Sequence, residues 1–250
     1  ILKKANETLA VAPTAWDVEA HHALAREAAG QCIVLLKNDG VLPVAADHTV
    51  AIIGEFARTP RYQGAGSSRV NPTKLDNALD AVTELMGEDV PFAPGFTTDG
   101  SPTPDALLDE AVAVAKAAEV VLAFLGLGEA VESEGYDREH MDLPAEQLTL
   151  LDRILEVNPN VVVVLSNGSS VRLPFADRVP AIVEGWLLGQ AGGSALVDVL
   201  FGKVNPSGKI TETIPLRIQD VPSYPYFPGD SMHVSYGEGL FVGYRGYDLR

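Results

Sequence analysis

The chain has 250 residues, 46% of them hydrophobic and 21% charged, which suits one large globular domain or two small ones. A net charge of −16 argues against nucleic acid, whose phosphates demand clustered Lys and Arg, and against an anionic membrane surface. One cysteine leaves no internal disulfide framework, and no apolar run reaches the roughly 18 residues of a membrane span.

Residues 1–15 read as a helix tail followed by a Pro-containing linker. They show no signal-peptide build and no initiating Met, so the chain is expected to begin inside a longer polypeptide. Residues 16–36 carry the pattern of a long Ala-rich helix, with Asp17 or Thr14 able to cap it. Cys32 lies inside that pattern and is expected to be a buried small hydrophobe. His21 and His22 are adjacent, point to different faces and read as surface residues. Residues 49–54 (TVAIIG) form a buried strand, and a Gly- and Ser-rich loop follows it. Its Gly64-Ala65-Gly66-Ser67-Ser68 could approach a phosphate or a neutral polar ligand, but it has neither G-x-G-x-x-G nor the Walker Lys.

Further helices are predicted over 77–86, 105–118, 145–157 and 191–201, and further strands over 90–94, 119–125, 161–166, 181–187 and 209–214. Near-continuous Val, Ile and Leu in these strands implies burial on both faces, hence a mostly parallel sheet with helices on both sides. Residues 16–214 form this α/β sandwich. From residue 215 to 250 the chain is rich in Pro, Gly and Tyr and reads as an extended arm, with Tyr224, Tyr226, Tyr236, Tyr244 and Tyr247 as its anchors.

The stretch GLGEAVESEGYDREHMDLP, residues 126–144, leaves the carboxyl end of the 119–125 strand. It holds six acids (Glu129, Glu132, Glu134, Asp137, Glu139 and Asp142) against Arg138 and His140. Loops this long are functional or disordered, and open α/β sheets gather ligands at their strands' carboxyl ends. A pair of carboxyl groups suits acid/base chemistry. Glu132 and Glu134 are both candidates, because alternation in an extended loop aims them the same way. Asp137 and Arg138 are expected to pair and fix the loop's shape, and Glu129, Glu139 and Asp142 to be solvated. Calcium fits less well, since no D-x-D-x-D-G spacing occurs and Arg138 sits in the cluster. Trp186 reads as core packing at a strand end.

Six stretches together resemble the C-terminal part of glycoside hydrolase family 3: AREAAGQCIVLLKNDGVLPV, GAGSSRVNP, ESEGYDREHMDLPAEQ, NPNVVVVLSNGSSVRLPF, FGKVNPSGKITETIP and SYGEGLFVGYRGYD. The similarity covers nearly the whole chain and is closest in look to bacterial and fungal β-glucosidases. It implies a three-layer α/β/α sandwich with about five parallel strands and one antiparallel strand. This domain would lean an acid/base Glu over an N-terminal (β/α)8 barrel that carries the nucleophilic Asp. Residues 1–15 would then link to that barrel, which lies outside this sequence, and residues 215–250 would lead to a further module. In the family the acid/base Glu precedes Gly in an E-G-x-D-R setting, which puts the role on Glu134.

The resemblance implies a retaining β-glucosidase that removes terminal non-reducing β-D-glucosyl residues from β-glucosides or oligosaccharides, with no cofactor. Ser67 and Ser68 would border the leaving-group site. The chain alone would be inactive, because it carries half of the active site. The connector at 95–104 falls where some relatives carry an inserted carbohydrate-binding-like module; it is short here, which leaves the acceptor side open. A β-xylosidase or other exo-glycosidase of the family, a non-catalytic sugar-binding domain, and (less well) a nucleotide-binding α/β protein are the alternatives.

Overall fold

The structure, a computed structural model, describes residues 1–12, 15–45 and 47–249; Pro13, Thr14 with its possible capping role, Ala46 and Arg250 lie outside the described residues. Six strands form one sheet: β1 (Val34–Asn38), β2 (Val50–Ile53), β3 (Phe92–Ala93), β4 (Val120–Gly126), β5 (Val161–Ser166) and β6 (Ala181–Glu184). Their order is β1-β6-β5-β4-β2-β3, with β1 antiparallel to β6 and every other neighbouring pair parallel. Five parallel strands and one antiparallel strand are what the resemblance implied.

The antiparallel strand, β1, is one that the sequence pattern did not predict. The helix expected over 16–36 is α2 (Val18–Cys32), whose start is capped by Asp17 Oδ1 accepting from the Ala20 N–H at 3.0 Å. Ile33 leaves the helix with φ −64° and ψ 131°, and Val34 begins β1. Ile33 and Val34 are β-branched and favour extended backbone, and β1 takes the one free side of β6. Residues 209–214, expected to be a strand, join no ladder and run as irregular chain with a bend at 211–212. Their approach is fixed by Gly208, whose N–H donates to the Ile33 carbonyl at 3.1 Å. Because the helix stops at Cys32, that thiol is exposed rather than buried.

Helices cover both faces. α3 (Ala78–Met86) carries the chain from β2 outward to β3, while α4 (Asp105–Ala117) and α5 (Ala145–Leu155) carry it back across to β4 and β5. Right-handed crossovers therefore place α3 on one face and α4 with α5 on the other. α6 (Gly192–Leu200) packs against α2 and α3, and α4 against α5, as this assignment requires. One contiguous apolar core fills the space between the layers, with Ile52, Leu122, Phe124, Val163 and Leu165 wholly buried at its centre.

The strand order reverses between β2 and β4, which are neighbours. Loops leaving the carboxyl ends of these two strands must diverge there, and that crevice is where open α/β sheets bind ligands. The first loop is residues 54–77 and the second is the acidic stretch 126–144.

Outside the sandwich, α1 (Leu2–Leu9) is exposed along its length. Residues 215–249 form turns, a 3₁₀ turn at Ile218–Asp220 and a short α7 (Tyr244–Tyr247). Tyr224, Tyr236 and Tyr244 are exposed, so they do not anchor this segment as expected. Tyr226 does pack, its ring lying over Gly237 where a Cβ would come within 2.1 Å of it.

Candidate active site

The acidic loop starts from a fixed point. Gln147, buried in the first turn of α5, accepts from the Gly126 N–H and donates to the Gly126 carbonyl, both at 2.9 Å. This pairs the last residue of β4 where no further strand residue can. From there the loop is gripped from two sides.

The β2 loop holds the first side. Arg61 is buried (8% exposed) and donates Nη1 to the Leu127 carbonyl at 2.5 Å, with Nη2 3.6 Å from Glu132 Oε2. Burial pulls the Arg61 pKa down, against the pull of Glu132 and Glu129. Arg69 pairs with Glu129, and the Tyr136 hydroxyl donates to the Glu129 carbonyl at 2.5 Å. Glu134 meets this loop most closely. Its N–H donates to the Ala65 carbonyl at 3.2 Å, and its Oε2 accepts from both the Ser67 N–H at 2.7 Å and the Ser67 hydroxyl at 2.5 Å. Oε1 takes no hydrogen bond among the described residues. Gly66 stands at φ +106°, and a Cβ there would lie 2.6 Å from the Glu134 Cβ, so the approach requires glycine.

The turn after β5, Asn167-Gly168-Ser169-Ser170, holds the second side. Glu132 Oε2 accepts from the Gly168 N–H at 2.8 Å, and Glu132 Oε1 from the Ser169 hydroxyl at 3.0 Å. Arg138 Nη2 donates to Ser169 Oγ at 2.7 Å and to the Ser170 carbonyl at 3.0 Å. Arg138 thus fixes the loop through neutral oxygens rather than through the expected pairing with Asp137. Two of the acids expected to be solvated are paired, Glu129 with Arg69 and Asp142 with Arg172 (2.6 Å). Ser68 is exposed beside Ser67.

The candidates Glu132 and Glu134, alike in sequence, are therefore unlike in space. Glu132 is half-buried with both oxygens occupied, whereas Glu134 is exposed with one oxygen free. The Ser67 hydroxyl and N–H hold the Glu134 carboxyl below the usual carboxylate range, because both stabilise the charged form.

One carboxyl beside this site escaped the sequence reading. Glu184 ends β6 at 1% exposure, with Oε1 accepting from the Trp186 N–H at 2.9 Å and Oε2 from Asn167 Nδ2 at 3.2 Å. Burial pushes its pKa up to about 7, with Glu132 and Glu212 adding to the rise. A polar residue ending a buried apolar strand was the available signal. Trp186 is half-buried at φ +50° rather than packed in the core; its backbone turns to reach Glu184.

Residues 33–244 match the description of the glycosyl hydrolase family 3 C-terminal domain. An exo-α-(1→6)-L-arabinopyranosidase from Bifidobacterium breve is 51% identical over 99% of this chain, and thermostable β-glucosidase B from Acetivibrio thermocellus is 47% identical over 94%. The solved structure of a β-glucosidase of this family from Bifidobacterium adolescentis superposes with a TM-score of 0.94 at 55% identity, covering 99% of this chain. The chain spans about a third of each relative, 34%, 32% and 36% of their lengths respectively. The chain belongs to glycoside hydrolase family 3, of which it carries the C-terminal α/β domain.

Proposed function

We propose that this domain supplies the general acid/base, Glu134, to a retaining exo-glycosidase whose nucleophilic carboxylate lies on an N-terminal barrel domain. The supporting observation is the presentation of Glu134. It stands exposed in the crevice between the β2 and β4 loops, with Oε2 held by Ser67 and Oε1 free to face a glycosidic oxygen. Retention needs two carboxyl groups about 5–5.5 Å apart. The barrel carboxylate attacks the anomeric carbon while Glu134 protonates the departing oxygen. Glu134, now ionised, then takes a proton from the water that releases the sugar.

The Ser67 contacts suit the second half of this cycle, in which Glu134 works as a base. Its first half needs a protonated carboxyl, so docking on the barrel must offset Ser67 by desolvating Glu134 and bringing a second negative charge close. On this reading the chain by itself is inactive. The sugar we propose is a terminal β-D-glucosyl residue, in keeping with the β-glucosidases among its relatives. Identity of 51% to an arabinopyranosidase makes a terminal α-L-arabinopyranosyl residue the second reading.

The test uses the full-length enzyme with Glu134→Ala and Glu132→Ala. Glu134→Ala should lower kcat/KM by about 10²–10⁴ on a substrate with a poor leaving group. It should spare a dinitrophenyl glycoside and yield the glycosyl azide when azide is added. An unaffected Glu134→Ala enzyme, or azide rescue at Glu132→Ala instead, would sink the assignment. Aryl β-D-glucosides against aryl α-L-arabinopyranosides decide the sugar.

A further inference from the structure

We infer that Ser169 is the positioning residue for Glu134, tying the chain on both sides of it to the turn after β5. The inference rests on the acid/base reading of Glu134 and adds a residue that acts through its neighbours. Glu132 and Arg138 lie two residues before and four after Glu134, and both reach the same Ser169 Oγ. A hydroxyl can do this because it donates and accepts at once. Its proton goes to Glu132 Oε1 at 3.0 Å, while its lone pair takes the Arg138 Nη2–H at 2.7 Å. The seven-residue segment 132–138 is thereby closed into a loop with Glu134 near its apex. Ser67 and Ala65 then hold that apex from the opposite side.

The turn that carries Ser169 is itself built to stay in place. Asn167 is wholly buried, and its Nδ2 donates both to the Ser169 carbonyl at 3.1 Å and to Glu184 Oε2 at 3.2 Å. The Ser170 N–H donates to Glu212 Oε1 at 3.0 Å. Gly168 lies close against the loop, since a Cβ there would come 3.1 Å from Glu132 Oε2 and press on that carboxylate. The two bonds of Arg138 Nη2 hold its guanidinium against this turn, while Nη1 is buried with no hydrogen-bond partner among the described residues. Positioning errors of this kind cost activity because a proton donor must reach one oxygen in one direction.

The experiment is done in the full-length enzyme with Ser169→Ala, Ser169→Thr and Gly168→Ala, alongside Glu134→Ala. We expect Ser169→Ala to lower kcat/KM on an alkyl glycoside by about 10- to 100-fold, part of the 10²–10⁴ that acid/base catalysis supplies, and to change a dinitrophenyl glycoside by less than about threefold. Ser169→Thr should recover most of the loss, Gly168→Ala should repeat it, and azide should rescue neither. Equal losses on both substrates would mean a merely structural role and overturn the inference, as would no loss in Ser169→Ala and Gly168→Ala. If Glu134→Ala shows no dependence on the leaving group, the acid/base reading has failed. If Glu134→Ala shows it and Ser169→Ala does not, the positioning role alone has failed.

Discussion

Ser67 gives both its backbone N–H and its hydroxyl to a single carboxylate oxygen of Glu134, across 67 residues of sequence. The contact follows from topology: β2 and β4 are neighbours, but the chain leaves them towards opposite flanks of the sheet. Two charge-assisted bonds on one oxygen favour the ionised form, and each adds stability that is lost as pH falls through the lowered pKa. Replacing Ser67 with Ala removes the hydroxyl and leaves the N–H. In this chain the Glu134 carboxyl, followed by ¹³C NMR titration, should then move up towards its ordinary value. A titration identical to wild type would show that the hydroxyl bond does not form in solution.

Gly66→Ala probes the same approach by shape. The residue would have to hold φ +106° with a Cβ 2.6 Å from the Glu134 Cβ. Backbone strain of this sort costs about 1–2 kcal/mol. The larger effect should be catalytic: with Glu134 pushed aside, a full-length enzyme should lose more than about tenfold in kcat/KM on poor leaving groups, while Tm falls by only a few degrees. A full-activity Gly66→Ala enzyme would argue that Glu134 is not seated against this loop.

Glu184 makes a prediction with a definite sign. Its pKa stands at about 7 in the fold against an ordinary value near 4.5. Between those values the native state keeps a proton that the unfolded chain has released, so this group's contribution to stability falls as pH rises through the window and stays low above it. At about 1.4 kcal/mol for each pH unit, the full cost is about 3 kcal/mol, less whatever relaxation recovers. Glu184→Gln removes the charge and keeps an acceptor for the Trp186 N–H. It should stabilise the chain by about 1–3 kcal/mol at pH 8, raising Tm by roughly 3–10 °C, and by little at pH 4.5. Equal shifts at both pH values would mean that Glu184 is not carrying a buried charge.

These residues also mark how far the sequence could be read. The parallel strands were legible because Val161 to Leu165 and Val120 to Leu125 are continuously apolar, and burial on both faces leaves no other pattern. The helix-to-strand change at Cys32 was not, because Gly30 sits inside the last turn of the helix and no Gly or Pro follows it before the strand. Ile33 to Leu36 continue an apolar run, and only the vacant side of β6 turns that run into a strand. Within the acidic loop, the order Glu132-Ser133-Glu134 says nothing about which acid is used up. The distinction comes from Gly168 and Ser169, which meet Glu132 from more than thirty residues away. Glu184 was overlooked because Asn167, which holds one of its oxygens, is brought to it only by the pairing of β5 with β6.

His22 is the clearest case of a residue whose surroundings reverse its reading. Sequence placed it on a solvated helix face, yet it is buried beneath the end of the β2 loop, while His21 stays exposed. Asp76 Oδ2 takes the Ser194 hydroxyl at 2.5 Å and His22 Nε2 at 3.0 Å, and Gln190 Nε2 stands 2.8 Å from His22 Nδ1. With a ring proton on Nε2, His22 donates to Asp76 while Nδ1 faces the Gln190 amide, so both neighbours are satisfied. Burial works to raise the Asp76 pKa, but the Ser194 and His22 bonds outweigh it and hold the carboxyl below its usual range. Asp76→Ala would leave a buried hydroxyl and a buried ring N–H without their acceptor. Each orphaned group costs about 1–3 kcal/mol, so a loss of about 3 kcal/mol and a Tm drop of roughly 6–12 °C are expected. Asp76 also closes the loop that carries Ser67, with its N–H bound to the Gln190 carbonyl at 2.8 Å. That backbone bond survives the substitution, so Ser67 should keep its seat. The full-length Asp76→Ala enzyme should therefore lose stability in a melting experiment while keeping its leaving-group dependence at temperatures well below Tm.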